Sequence, residues 1–126
     1  MAYHYYNKGG FTDKLIEDAI NGGQHANFPA LKKWDILAID EAQDMTSLYF
    51  DFVVRVLEDC AREGFPAPQL CIIGDERQMI YEFKSPPSDT KYLLLADTIF
   101  PNPRNLVWRR LQLSTSYRIT VTFEQM

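Results

Sequence analysis

A chain of 126 residues has room for one domain with a real core, and not for an enzyme with several separate sites. Apolar residues at 46% and charged residues at 24% are ordinary globular values, which excludes disorder or a coiled coil as the organising principle. A net charge of −4 with a pI near 5.1 argues against electrostatically driven duplex binding by these residues alone, whereas single-strand binding by base stacking tolerates that balance.

Residues 1–10 are polar and aromatic without a period and read as an irregular start. From Thr12, a plausible N-cap, the apolar positions Leu15, Ile16, Ala19 and Ile20 fall on one helical face, and Gly22 and Gly23 end the pattern. Residues 27–33, with Pro29, connect to a short apolar run. His4 and His25 stand apart from each other and from the cysteines, so zinc is not expected.

That run, Ile36 to Ile39, stops at two adjacent carboxylates, Asp40 and Glu41, within the string WDILAIDEAQD. Four apolar positions in succession predict a strand covered on both faces, as in a parallel sheet flanked by helices. Open sheets of that kind bind ligands beyond the carboxyl ends of their strands, which is where the acidic pair falls. One carboxylate there can hold a hydrated Mg²⁺ against phosphate oxygens while its neighbour orients and deprotonates a water. Alone, such a pair is also what a helix N-terminus collects, with Asp44 and Thr46 as caps.

A second helix is predicted over 46–62, with a charged stripe of Asp51, Arg55, Glu58, Asp59 and Arg62 on its solvent side. Gly64, Pro66 and Pro68 close it. Residues 69–74 (QLCIIG) predict a second buried strand, giving the strand, helix, strand order that builds a parallel sheet. Cys60 and Cys71, in these two elements, lack metal-ligand spacing and read as buried reduced thiols of an intracellular protein. A turn carrying Gln78, Tyr81 and Phe83 follows, stopped by Pro86 and Pro87. Ser88 begins a third predicted helix over 89–100, and residues 106–113 predict a third strand with one exposed face. No apolar run approaches the ~18 residues of a membrane span, and the first ten residues lack a signal region, so a soluble protein of cytoplasm or nucleus is expected, with no membrane partner.

Three strings, DEAQD at 40–44, GDERQMIYEF at 74–83 and LSTSYR at 113–118, together resemble the second, third and fourth motifs of the UvrD-like branch of superfamily I DNA helicases. The resemblance covers roughly 34–120. It implies an α/β fold, a partial RecA-like P-loop NTPase domain with a parallel sheet of about three strands and flanking helices, forming one unit over 1–126. It further implies an ATP-dependent helicase that hydrolyses ATP on Mg²⁺ and moves 3′ to 5′ along single-stranded DNA. By the same resemblance Asp40 and Glu41 hold the metal and Glu41 is the catalytic base. Gln78 contacts the γ-phosphate and its water. Tyr81 and Phe83 line the single-strand track, with Lys84 meeting a phosphate. Tyr117 stacks on the adenine, and Arg118 is the finger that neutralises transition-state charge. Gln43 and Asp44 are expected to link the metal site to the next motif, or to be plain caps. Phe83 stands where relatives often carry tryptophan, and Ser116 where asparagine is commoner.

The 126 residues contain no GxxxxGK[ST] string, the loop whose backbone N–H groups and lysine cradle phosphates. In the family that loop lies further upstream of DEAQD than the 39 residues before Asp40 allow. The expectation is an internal piece of a helicase or a truncated gene, inactive alone as a motor, with the P-loop segment and second motor domain supplied by missing sequence. The strand bearing the P-loop would lie between the second and third strands. Residues 106–113 are therefore expected either to move into the gap or to stay loosely attached. Two rivals remain: a non-enzymatic, helicase-like interaction protein, and a metal-dependent nuclease using Asp40, Glu41 and Asp75.

Overall fold

The computed structural model describes residues 13–21, 34–78 and 88–114. In chain order these form helix α1 (Asp13–Asn21), strand β1 (Ile36–Ile39), helix α2 (Ser47–Arg62), strand β2 (Gln69–Ile72) and two short helices, α3 (Lys91–Leu94) and α4 (Ala96–Ile99). One-turn 3₁₀ segments follow each strand, at Ala42–Asp44 and Glu76–Gln78.

The strands pair in parallel, Ile36 opposite Gln69 through Ile39 opposite Ile72, with α2 as the crossover. Backbone bonding continues past the strand ends: Ile73 donates to the Ile39 carbonyl at 2.8 Å, and Ala42 donates to the Ile73 carbonyl at 2.9 Å. These two bonds hold the segments leaving β1 and β2 side by side.

Helix α2 is packed from two directions. Phe52, Val56 and Cys60, spaced four apart, meet Ala19 of α1 in one buried cluster, with Trp34 and Phe65 against it. On another side Phe50 stacks on Tyr92 with ring centroids 5.1 Å apart and meets Phe100 edge-on at 5.1 Å, joining α2 to α3 and to the residue after α4. Ile39, Leu70 and Ile72 press on this second cluster, so it lies under one face of the sheet.

The ends of α2 follow local chemistry. Thr46, extended at φ −101°, accepts the Tyr49 N–H on its hydroxyl at 3.4 Å and so acts as the predicted cap. At the far end Gly64 takes φ +77°, while Gly64 donates to Ala61 and Phe65 donates to Cys60, the paired bonds of a Schellman closure. Within the helix Asp59 is wholly buried, not on the solvent stripe expected for it, and accepts from Arg55 Nε at 3.2 Å and Arg62 Nη1 at 3.1 Å. Arg55 also donates to the Ile20 carbonyl, so this cluster fastens α1 to α2.

Four expectations need correction. Ile36 is 63% exposed, and Ala38, Gln69 and Cys71 on the same side of the sheet are exposed too, so one face is covered by the described residues and the other is open. Cys71 is therefore an exposed thiol, whereas Cys60 is buried as expected. The third helix is two one-turn pieces broken at Leu95, whose φ −111° and ψ 22° leave the helical region. Residues 106–113 form no strand: Leu111 and Leu113 are each 92% exposed, and among the described residues the sheet has two strands, not three. Side chains hold this segment instead. Asn102 exchanges two hydrogen bonds with the Leu106 backbone at 2.8 and 3.0 Å, Arg110 pairs with Asp97 at 3.0 Å, and Trp108 packs on the cluster under the sheet. The segment does not pair with β2, and of the two expected outcomes the one in which it stays attached outside the sheet matches. Among the described residues no helix is long and apolar enough to cross a membrane.

Candidate functional site

Asp40 and Glu41 leave the end of β1, and Asp75 and Gln78 leave the end of β2, so the parallel register brings the two groups to one edge of the sheet. All four residues are exposed there. Asp40 Oδ1 accepts the Glu41 N–H at 2.9 Å, which ties the carboxylate to the backbone that leaves the strand. Glu41 takes φ 53° and ψ 40°, the left-handed conformation that a non-glycine residue adopts at a cost. The left-handed corner turns the chain sharply from β1 into the 3₁₀ segment.

Gln43 lies beneath this corner with no exposed surface. Its Nε2 donates to Glu41 Oε2 at 2.5 Å, and its Oε1 accepts the Asp75 N–H at 3.1 Å. Beyond it, Asp75 uses its carboxylate inside its own turn, accepting the Arg77 N–H at 2.9 Å and one Gln78 side-chain N–H at 3.2 Å. Gln78 keeps its carbonyl oxygen and its second N–H available among the described residues. Such an amide can accept from a water while donating to a phosphate oxygen.

The donor set is hard oxygen, which suits Mg²⁺. Among the described residues no group of three or more His, Cys, Asp or Glu side chains is arranged to hold a metal ion. An all-protein metal cage is thus not formed by these residues. One or two carboxylates completed by water and phosphate oxygens is the usual Mg²⁺ arrangement, and Asp40 with Glu41 fits it. The nuclease alternative, which needs Asp40, Glu41 and Asp75 as a cluster, gains nothing from this geometry.

The sequence singled out Asp40, Glu41 and Gln78, and the fold brings all three to one edge. Tyr81, Phe83, Lys84, Tyr117 and Arg118 lie outside the described residues, as does Thr12. Two features had no sequence signal. Glu41 is an ordinary residue type in a left-handed corner. Gly74 is a small residue because a Cβ there would stand 2.5 Å from Gln43 Oε1 and 3.2 Å from the Ala42 nitrogen.

The acids and the amide thus stand at the carboxyl ends of two parallel strands, the place where open α/β sheets hold their ligands. The family model of the UvrD/REP helicase N-terminal domain matches residues 13–98, more than half of the chain. The chain belongs to that family. No curated protein and no solved structure matches it.

Proposed function

We propose that this chain carries one wall of the ATP site of a DNA helicase that moves 3′ to 5′ on single strands. Asp40 holds Mg²⁺, Glu41 deprotonates the attacking water, and Gln78 bridges that water and the γ-phosphate. Mg²⁺, when bound, screens the phosphate charge. The carboxylate of Asp40 would hold it, and Glu41 would take the proton of the attacking water. Tyr81 and Phe83 stack on bases of the single strand, Lys84 meets a phosphate, and Tyr117 and Arg118 close on the nucleotide. Polypeptide outside these 126 residues supplies the phosphate loop and the second motor domain, and without them the chain does not act as a motor.

The observation that carries this reading is the convergence of Asp40, Glu41 and Gln78 at the ends of two adjacent parallel strands within a chain of helicase family. Calorimetric titration with Mg²⁺ and a non-hydrolysable ATP analogue tests it. The expected result is weak saturable binding that drops about tenfold or more in Asp40→Asn and in Gln78→Ala, the loss of one charge-assisted contact each. Binding indifferent to both substitutions refutes the assignment and favours the non-enzymatic, helicase-like interaction protein.

A further inference from the structure

Gln43 is the one residue of the strand-end site that is both wholly buried and polar at both ends of its contacts. Its amide orientation is dictated from outside. The Asp75 N–H demands an acceptor, and the Glu41 carboxylate demands a donor, so Oε1 must face one and Nε2 the other. No other side chain of this length supplies that pair. Glutamate would satisfy Asp75 and set two carboxylates against each other, and methionine would fill the space and satisfy neither. The fold also reserves room for this amide, since Gly74 presents only hydrogen where a Cβ would collide with Oε1.

Backbone bonding already fixes the chain on the far side of the corner, through Ala42 to Ile73. What that bond leaves undetermined is the Glu41 side chain, an exposed carboxylate on a flexible stem. Its Oε2 is held by Gln43, and Gln43 is held by the backbone that begins the 75–78 turn. That same Asp75 grips the Gln78 amide. A continuous path of hydrogen bonds therefore runs from the Glu41 carboxylate to Gln78, through Gln43 and Asp75.

We propose that Gln43 is the positioning residue for Glu41, selecting one carboxylate orientation and coupling it to the turn that carries Gln78, so that a pull on Gln78 reaches the base. The assignment of a base and a phosphate contact rests on the helicase reading above; the coupling itself rests on the hydrogen bonds. Gln43 touches no reacting atom. It acts through its two neighbours.

The test uses the full chain as wild type, Gln43→Met and Gln43→Glu, followed by nuclear magnetic resonance. The Asp75 amide is expected to exchange with solvent about tenfold faster or more in Gln43→Met and near the wild-type rate in Gln43→Glu, which keeps the acceptor. The Glu41 side-chain couplings are expected to report one rotamer in wild type and rotamer averaging in both variants. A residue that merely fills space would not separate the two variants in this way. Unchanged Asp75 exchange in Gln43→Met, or a Glu41 side chain already averaged in wild type, overturns the proposal; the second readout needs no variant to fold. Adding Mn²⁺ to the wild type separates this claim from the reading beneath it. Broadening first at Asp40 and Glu41 supports the metal role, and its absence there overturns that role while the exchange and coupling results still decide the role of Gln43.

Discussion

Adding a single methyl at Gly74 attacks the site where it is tightest. The alanine Cβ would lie 2.5 Å from Gln43 Oε1, 3.1 Å from Leu93 Cδ2 and 3.2 Å from the Ala42 nitrogen. The Leu93 methyl ends a flexible side chain and can turn away. The Ala42 nitrogen is backbone and donates to Ile73, so it resists movement. Most of the displacement must fall on Gln43, whose amide is wholly buried and cannot swing out without leaving the Asp75 N–H and the Glu41 carboxylate. A neutral hydrogen bond contributes about 1 kcal/mol and one to a charged group about 1.5–3 kcal/mol, so Gly74→Ala is expected to lose about 2–4 kcal/mol. Urea unfolding followed by far-ultraviolet circular dichroism measures it, provided the slope with denaturant stays at its wild-type value. A loss below about 0.5 kcal/mol, the ordinary scatter of surface substitutions, would show that the packing of Gln43 over Gly74 is not a constraint.

Asp59→Ala leaves Arg55, with a side chain only 18% exposed, facing Ile20 without its carboxylate; the expected cost is about 2–4 kcal/mol, slightly below that of a fully enclosed pair because Arg62 reaches solvent. A loss under about 1 kcal/mol in urea unfolding would demote the cluster to surface pairing. Cys71 is exposed, while burial first and the Asp59 charge second push the Cys60 thiol above its ordinary range, so iodoacetamide at pH 8 should label Cys71 readily and Cys60 only on unfolding. Equal labelling of both contradicts the packing of α1 on α2. Burial, then the hydrogen bond to Asp13, raises the Tyr49 phenol above 10.0. Its contact with α1 therefore persists below the unfolded value and is lost as pH rises through the higher folded one, so stability should fall above about pH 10. Tyr49→Phe should show a shallower fall, Tyr92 and Cys60, which burial also raises, contributing to the remainder; identical slopes would refute the role of the Tyr49 hydroxyl.

Local signals and non-local ones were not equally legible. The cap at Thr46 and the closure at Gly64 depend on a few successive residues, and the structure has both where the sequence puts them. The parallel pairing of β1 with β2 followed from the helical pattern between two apolar runs. Strand formation at 106–113 depends on pairing with a neighbouring strand, which no pattern within the segment records, and none of the described strands pairs with it. The same holds for the open face of β1: an apolar run states what a strand can bury, not what is present to cover it. Asp59 misled because a three- and four-residue charge spacing looks the same whether it faces water or closes a cluster between two helices.

At the site, residue types were readable, and of their connections only the alternative that Gln43 links to the next motif, without the atoms that make the link. Asp40 and Glu41 stood out by their place after an apolar run, and Gln78 by the motif it resembles. That Gln43 joins two loops 32 positions apart through one amide is a property of the register between β1 and β2, which only the folded chain contains.

The most direct test of the central claim is a map of backbone amide shifts as Mg²⁺ and a non-hydrolysable ATP analogue are added to the full chain. The account predicts the largest shifts at Asp40, Glu41, Asp75 and Gln78. Away from the strand ends, an apolar groove of about 500 Å³ lies between the second half of α2 and the loops around Pro68 and Pro101. Shifts centred on that groove, with the strand ends unmoved, would contradict a phosphate site at the ends of β1 and β2.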